Sequence, residues 1–294
     1  MNGLVFHQEE NTSNSRDIDR RYYRNFRFQR HIHGNPELLY VIEGEIDVTV
    51  DECTETVSAG QMCMILPWQI HSFYTRDFSR TIVLVVAHSY MDDFLNSMRG
   101  YYGQTQVFRP EPAIQELFMQ YLFTGPFPDP YIIASVLLGL CHCFTVQCPI
   151  LPCEDSRRAP ALYDAFNYIS AHYKEPLTLG SVAAELGYSY YYLSHIFKSY
   201  AGMGFNRFCN MRRVAEAEHL LRNTDRSVTD IALESGFSNT RSFNRAFLDV
   251  MHMPPLRYRE QYSSVEGGER ISIDEGEVQN IERDFHPEPI SNRL

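Results

Sequence analysis

Apolar residues along this chain change their period as it proceeds. From Tyr22 to about Ala87 they come in short runs: Phe26, Phe28, Leu39–Ile42, Ile46–Val50, Met62–Leu66 and Thr81–Val86, parted by Gly44, Asp51-Glu52 and Gly60. Short runs separated by turn residues predict strands, and several at close spacing predict a small β-barrel or jelly roll. Beyond residue 108 the spacing turns helical. Pro112–Phe123 sets Ile114, Leu117, Phe118, Tyr121 and Leu122 to one side. Tyr131–Val146 is apolar around most of its circumference, so a neighbour or a second subunit must cover it. The Pro-bearing stretch Cys148–Pro160 predicts a linker. Helical spacing resumes near Ala161–Tyr173. It returns in Phe205–Arg222, where Phe205, Phe208, Met211, Val214, Ala217, Leu220 and Leu221 oppose Arg207, Arg212, Arg213 and Arg222.

Around that last helix one segment occurs twice. The first copy is Val182–Ser189 followed by Tyr190–Phe197, and the second is Ile231–Ser238 followed by Asn239–Phe247. Each has Ala (Ala183, Ala232) four residues before Gly (Gly187, Gly236), then an aromatic and a Ser suited to cap the next helix. Leu193 and Phe197, or Phe243 and Phe247, form the buried stripe that follows. This is a helix-turn-helix pattern, and its repetition makes the signal specific. The stripe leaves Tyr190, Tyr191, Ser194, His195 and Lys198 outward on the first second-helix, and Thr240, Arg241, Asn244 and Arg245 on its counterpart. Arg can bond guanine in two places and Asn adenine, so Arg241, Asn244 and Arg245 are the expected base readers. Tyr190 and Tyr192 are expected to pack on neighbouring helices. Helix starts after Thr178, Ser189, Ser227 and Ser238 are candidate phosphate anchors, and Ser227-x-x-Asp230 fits a loose capping box.

With Leu177-Thr-Leu, Arg213-Val-x-x-Ala217-x-x-Leu220-Leu221, Gly236-Phe237 and Pro254-Pro255-x-x-Tyr258-Arg259, residues 162–262 resemble the DNA-binding domain of AraC/XylS-type bacterial transcriptional regulators. The resemblance implies that Tyr191, Ser194, His195, Thr240, Arg241 and Arg245 face bases. It also implies a homodimer made by helices after an N-terminal sensing domain.

In the strand region, His31-x-His33-x3-Glu37-x6-Gly44 is followed by Gly60-x6-Pro67-x-Gln69-x-His71. This looks like the paired motif of the cupin barrel, although Gln69 stands where Gly is usual and the gap before Pro67 is one residue longer. The resemblance implies that His31, His33, Glu37 and His71 converge on a metal. Independently, His31 and His33 share one strand face, and imidazoles with a carboxylate suit Zn, Fe, Mn or Ni. The alternative is that the four hydrogen-bond one another and line an organic-ligand pocket without metal.

Charge changes the picture only when divided. The net charge is −11, yet residues 159–262 hold 11 Lys+Arg against 10 Asp+Glu. A local basic stripe suffices for DNA. Seven Cys, odd in number and irregularly spaced, do not suggest disulfides. Cys141-His142-Cys143 with Cys148 and Cys153 could suggest zinc, but a buried apolar helix explains Cys141 more simply. No run approaches the ~20 apolar residues of a membrane helix and no secretory leader is visible, so no membrane and a cytoplasmic address are expected.

The expectation is an α+β two-domain chain: a cupin-like β-barrel with dimerisation helices, then an all-α domain with two helix-turn-helix motifs. Its divisions are a flexible arm at 1–20, the barrel at 21–108, dimerisation helices at 109–148, a linker at 149–160, the DNA-binding domain at 161–262 and an acidic tail at 263–294. The function expected is sequence-specific binding of double-stranded promoter DNA, not catalysis. The barrel would sense a small molecule, such as a sugar or other polar metabolite, and RNA polymerase is a possible partner. The rival class is a metal-dependent cupin enzyme fused to a DNA-binding domain.

Overall fold

The computed structural model describes residues 5–6, 18–123, 125–152, 158–200 and 203–262. The acidic tail, Cys153 and most of the expected arm lie outside them. The chain runs β1 (Val5–Phe6), β2 (Ile18–Arg24), β3 (Arg27–Ile32), β4 (Glu37–Val50), β5 (Cys53–Ser58), β6 (Met62–Ile65), β7 (His71–Tyr74) and β8 (Ser79–Val86). Next come α1 (Asp92–Ser97), β9 (Tyr101–Gly103), β10 (Val107–Phe108), α2 (Pro112–Phe118), α3 (Pro130–Gln147) and β11 (Ile150–Pro152). The helical part is α4 (Arg158–His172), α5 (Leu179–Glu185), α6 (Tyr190–Tyr200), α7 (Phe205–Asn223), α8 (Val228–Glu234), α9 (Thr240–Met251) and α10 (Pro255–Tyr262).

Strand β4 holds the barrel together. Its first half pairs with β6 and β8, its second with β5 and β7. Gly44, expected to end a strand, instead bends one strand of 14 residues from one sheet into the other. It has φ +74°, and a Cβ there would lie 2.2 Å from the Phe78 carbonyl oxygen, so only Gly fits. Leu39, Val41, Ile46 and Val48 point into the barrel with Val57, Phe73 and Val83. Leu38 and Tyr40 point outward, under Phe118, Leu137 and Phe144. Both faces of β4 are buried, which is why Leu39–Ile42 shows an unbroken apolar run rather than alternation.

Helix α3 supplies much of that cover through Ile133, Val136, Leu137, Leu140 and Phe144. Among the described residues it is the one helix long and apolar enough to cross a membrane, contrary to the expectation that none exists. Its buried side is docked on the barrel. Cys141 and Cys143 are buried in this packing while His142 is exposed, so they form no metal cluster among the described residues.

Three boundaries differ from expectation, one of them the start of α4 at Arg158, inside the expected linker. Strand β2 already begins at Ile18, inside the expected arm, because Ile18–Arg24 pairs along the whole of β8. Ile150–Pro152, expected as linker, pairs with Tyr101–Gly103.

Helix α7 divides two cores. Phe205, Phe208, Met211 and Ala215 pack with α4, α5 and α6. Val214, Ala217, Leu220 and Leu221 pack with α8, α9 and α10. Two of its expected surface arginines are structural. Arg213 donates to the carbonyls of Tyr173 (2.7 Å) and Glu175 (2.9 Å), and Arg212 lies 4.0 Å over the Tyr173 ring.

Candidate ion site and DNA-reading helices

His31 lies near the end of β3, His33 just beyond it, Glu37 opens β4 and His71 opens β7. Strand register sets His31 opposite His71. All four side chains are buried, and their potential ligand atoms lie within 4.8 Å of one another. The four residues that the motif singles out thus lie together. Each imidazole is held from behind. His31 Nδ1 donates to the Gln29 carbonyl (3.0 Å), His33 Nδ1 to that of Asn35 (2.9 Å) and His71 Nδ1 to that of Gln69 (2.9 Å). Such bonds fix the tautomer and leave each Nε2 as an acceptor, the arrangement that metal-binding histidines use.

His33 Nε2 lies 3.1 Å and His71 Nε2 3.8 Å from Glu37 Oε2. Acceptors this close repel unless a proton or a cation stands between them. Burial pushes the Glu37 carboxyl upward. The hydrogen bond from His33 and the positive charge of the two imidazoles when protonated outweigh that and hold it well below the usual range. Glu37 Oε1 and His71 Nε2 are buried without a hydrogen-bond partner among the described residues. Three imidazoles and a carboxylate, two of whose acceptor atoms lack a donor, fit a divalent transition-metal ion.

A cavity of about 890 Å³ lies elsewhere, between the barrel and the helical domain. Its walls include Leu66, Trp68, Ile70, Tyr163 and Phe166, with Arg30 and Arg99 among the polar groups. None of the four cluster residues lines it. The loop Leu66–Ile70 separates the two.

Both helix-turn-helix units form as the repeat predicts. Gly187 (φ +73°) and Gly236 (φ +87°) make the turns. The same bond closes each: Tyr188 N–H to the Ala183 carbonyl (2.8 Å) and Phe237 N–H to that of Ala232 (3.0 Å). Thr178 caps α5 and Ser227 caps α8, the Ser227 hydroxyl also donating to Asp230. The second-helix caps differ. Ser189 accepts from Tyr192 N–H (3.2 Å), but in the second unit Asn239, not Ser238, accepts from Ser242 N–H (2.8 Å). The second turn is one residue longer, so the capping position moves on by one.

On α6, Tyr191 is 84% exposed, His195 and Lys198 are exposed and Ser194 is half-buried. On α9, Arg241, Asn244 and Arg245 are exposed and Thr240 is half-buried. Tyr192 packs inward against Tyr188, as expected. Tyr190 does not: it is 53% exposed and stands edge-on to Tyr191. Arg207, Arg222 and Arg226 are paired with Asp249, Glu218 and Glu234. Lys198, Arg241 and Arg245 make no ion pair among the described residues, which leaves their charge for a ligand.

Trp68 went unnoticed in the sequence. A lone Trp after a Pro carries no periodic signal. Its positive φ (+68°) and its contacts come from distant segments.

Residues 182–261 match the helix-turn-helix domain family and residues 24–87 the cupin domain family. The regulatory protein PocR of Salmonella typhimurium is 38% identical over 109 residues, 35% of this chain and 36% of that protein. An uncharacterised HTH-type transcriptional regulator of Staphylococcus aureus is 37% identical over 120 residues, 41% of this chain and 15% of that protein. The chain thus spans well under half the length of these relatives. The structure of ToxT from Vibrio cholerae with an unsaturated fatty acid bound aligns over 89% of this chain and 100% of that one, with TM-score 0.58 at 14% identity. That likeness concerns the fold alone, and it extends across both domains. The chain therefore joins a region that matches the cupin domain family to one that matches the helix-turn-helix domain family, the latter region shared with proteins named as transcriptional regulators.

Proposed function

We propose that this protein binds a specific DNA site through α6 and α9 and that its N-terminal domain tunes that binding in response to small ligands. The observation that carries the reading is the pair of exposed second helices held at the two ends of α7. At ~1.5 Å per residue, 19 residues make α7 about 28 Å long, comparable with the ~34 Å of one DNA turn. Two successive major grooves on one DNA face are then within reach. Arg241, Asn244 and Arg245 read bases in one, and Tyr191, Ser194 and His195 in the other, with Lys198 and Thr240 at the flanks.

The barrel holds a divalent metal on His31, His33, Glu37 and His71. The ion would supply a fixed positive charge that joins β3, β4 and β7. An organic effector binds instead in the cavity between the domains, whose apolar and aromatic walls suit a largely apolar molecule. The fatty acid in ToxT supports such a class by fold likeness. The exposed side of α3, with Tyr131, Leu138 and Val146, is the surface for a homodimer. RNA polymerase contact follows only if the protein activates.

Footprinting of the full-length protein on a site selected from random DNA tests the reading. Two protected patches about one helical turn apart are expected. A single patch would leave one of the helices without the role assigned to it. Metal analysis tests the barrel: one ion per chain is expected, lost in the His33→Ala/Glu37→Ala double variant. Because protons compete for imidazole, occupancy should fall at acid pH.

A further inference from the structure

The loop between the cluster and the helical domain is bonded on both sides. Toward the cluster, Trp68 N–H donates to the His33 carbonyl (2.9 Å), and the Gln69 carbonyl accepts from His71 Nδ1 (2.9 Å). Two successive loop residues are thus each tied to one of the four cluster residues. Toward the helices, the Trp68 indole donates to Asn167 Oδ1 on α4 (2.8 Å). The ring also packs 5.3 Å from Phe166 and 6.3 Å from Phe208, measured between centroids. Trp68 is only 5% exposed, and with Ile32 and Ile70 it belongs to the core of the first helix-turn-helix half.

The surroundings also over-determine the loop. Trp68 sits in the left-handed region at φ +68°, which a bulky side chain avoids unless its neighbours hold it. Gln69 Oε1 accepts from Leu66 N–H (2.7 Å), and Asp51 Oδ1 accepts from Ile70 N–H (3.2 Å). A Cβ on Gly34, the residue after His33, would lie 2.8 Å from the indole ring. The ring therefore rests directly on the backbone that carries His33.

We infer that Trp68 is the positioning residue through which an ion at His31, His33, Glu37 and His71 holds the barrel docked on α4 and the first helix-turn-helix half. This rests on the metal reading above. An ion drawing His33 and His71 together fixes the backbone atoms to which residues 68 and 69 are tied. It thereby stabilises the left-handed turn that presents the indole to Asn167. Without the ion, the acceptors of the cluster repel and the turn loses one of its anchors. Linkage is reciprocal, so docking favours ion binding by the factor by which the ion favours docking, and a weaker indole contact weakens ion binding. The second half, α8 to α10, has no part in this contact, so the ion acts on one DNA-reading helix and leaves the other alone.

Trp68 is the only tryptophan in the chain, so its fluorescence reports the contact directly. The full-length protein is titrated with Co²⁺, followed by the metal's visible absorbance and by acrylamide quenching of Trp68. One equivalent should bind, with quenching falling at least twofold in step and hydrogen exchange slowing in α4. Asn167→Ala should weaken Co²⁺ binding about fivefold, the scale of one hydrogen bond, while Asn167→Asp, which keeps an acceptor oxygen, should stay within twofold of wild type. If Co²⁺ binds while quenching and exchange stay unchanged, the coupling is refuted and the ion site stands. A rise in quenching refutes the direction. If no Co²⁺ binds, the ion site itself falls and takes the coupling with it. Equal weakening in both Asn167 variants assigns the effect to packing and overturns the role given to the indole bond.

Discussion

The two helix-turn-helix halves share one pattern but not one environment. The first half, α4 to α6, shares its core with Ile32, Trp68 and Ile70 of the barrel. Asp164 on α4 is further paired with Arg99. The second half, α8 to α10, closes its core on α7 through Val214, Leu221, Phe243, Phe247 and Tyr258, none of them from the barrel. Repetition therefore supplies two similar helix pairs, and the core of the first is shared with the barrel. Their outward residues differ in the same sense. The self-contained half carries Arg241, Asn244 and Arg245, and the docked half carries Tyr191, Ser194 and His195.

The largest expected effect tests that asymmetry in DNA binding. Arg241→Ala/Arg245→Ala should lose ~2–6 kcal/mol of specific binding, at ~1–3 kcal/mol per guanine contact. Tyr191→Ala/His195→Ala should lose less, since neither makes a two-point contact. Fluorescence anisotropy at matched salt measures both, and wild-type affinity in the Arg double variant would sink the assignment.

A smaller effect separates the two turns. At Gly187 a Cβ meets nothing within 4 Å, so Gly187→Ala costs only the left-handed backbone, ~1–2 kcal/mol. At Gly236 a Cβ would lie 2.7 Å from Lys174 Cα and 2.8 Å from the Tyr173 carbonyl oxygen. Gly236→Ala therefore adds overpacking and should cost ~2–4 kcal/mol in all. Urea denaturation of both variants checks the ranking, and equal losses would erase it.

The smallest concerns the caps. Asn239→Ala should cost ~1 kcal/mol of stability and Ser238→Ala close to nothing, whereas in the first half Ser189→Ala should cost ~1 kcal/mol. Thermal melts that ranked Ser238 above Asn239 would restore the simpler reading of the repeat.

That cap illustrates how far local pattern reaches. The Ala-x3-Gly spacing located both turns, because a close helix approach and a positive φ are demands on residue type at fixed separation. The identity of the cap depended on one extra residue in the second turn, which similarity between the copies hides. Likewise β5 escaped notice: Cys53–Ser58 is a largely polar strand whose one fully buried residue is Val57. Tyr190 is expected to pack on neighbouring helices, but half of its surface is exposed.

Strand alternation by itself put His31 and His33 on one face, and the likeness to the cupin motif implied that Glu37 and His71 would join them. The repeat by itself determined two helix-turn-helix units, and the exposed positions on α6 and α9 followed from the buried stripe. Only the tertiary structure decided that Gly44 bends one strand between two sheets and that the large cavity lies outside the cluster. Only it decided that Trp68 reaches 99 positions along the chain to Asn167. Periodicity records which face of an element is buried. It carries nothing about which distant segment does the burying, and that choice is made by packing among elements whose sequences never meet.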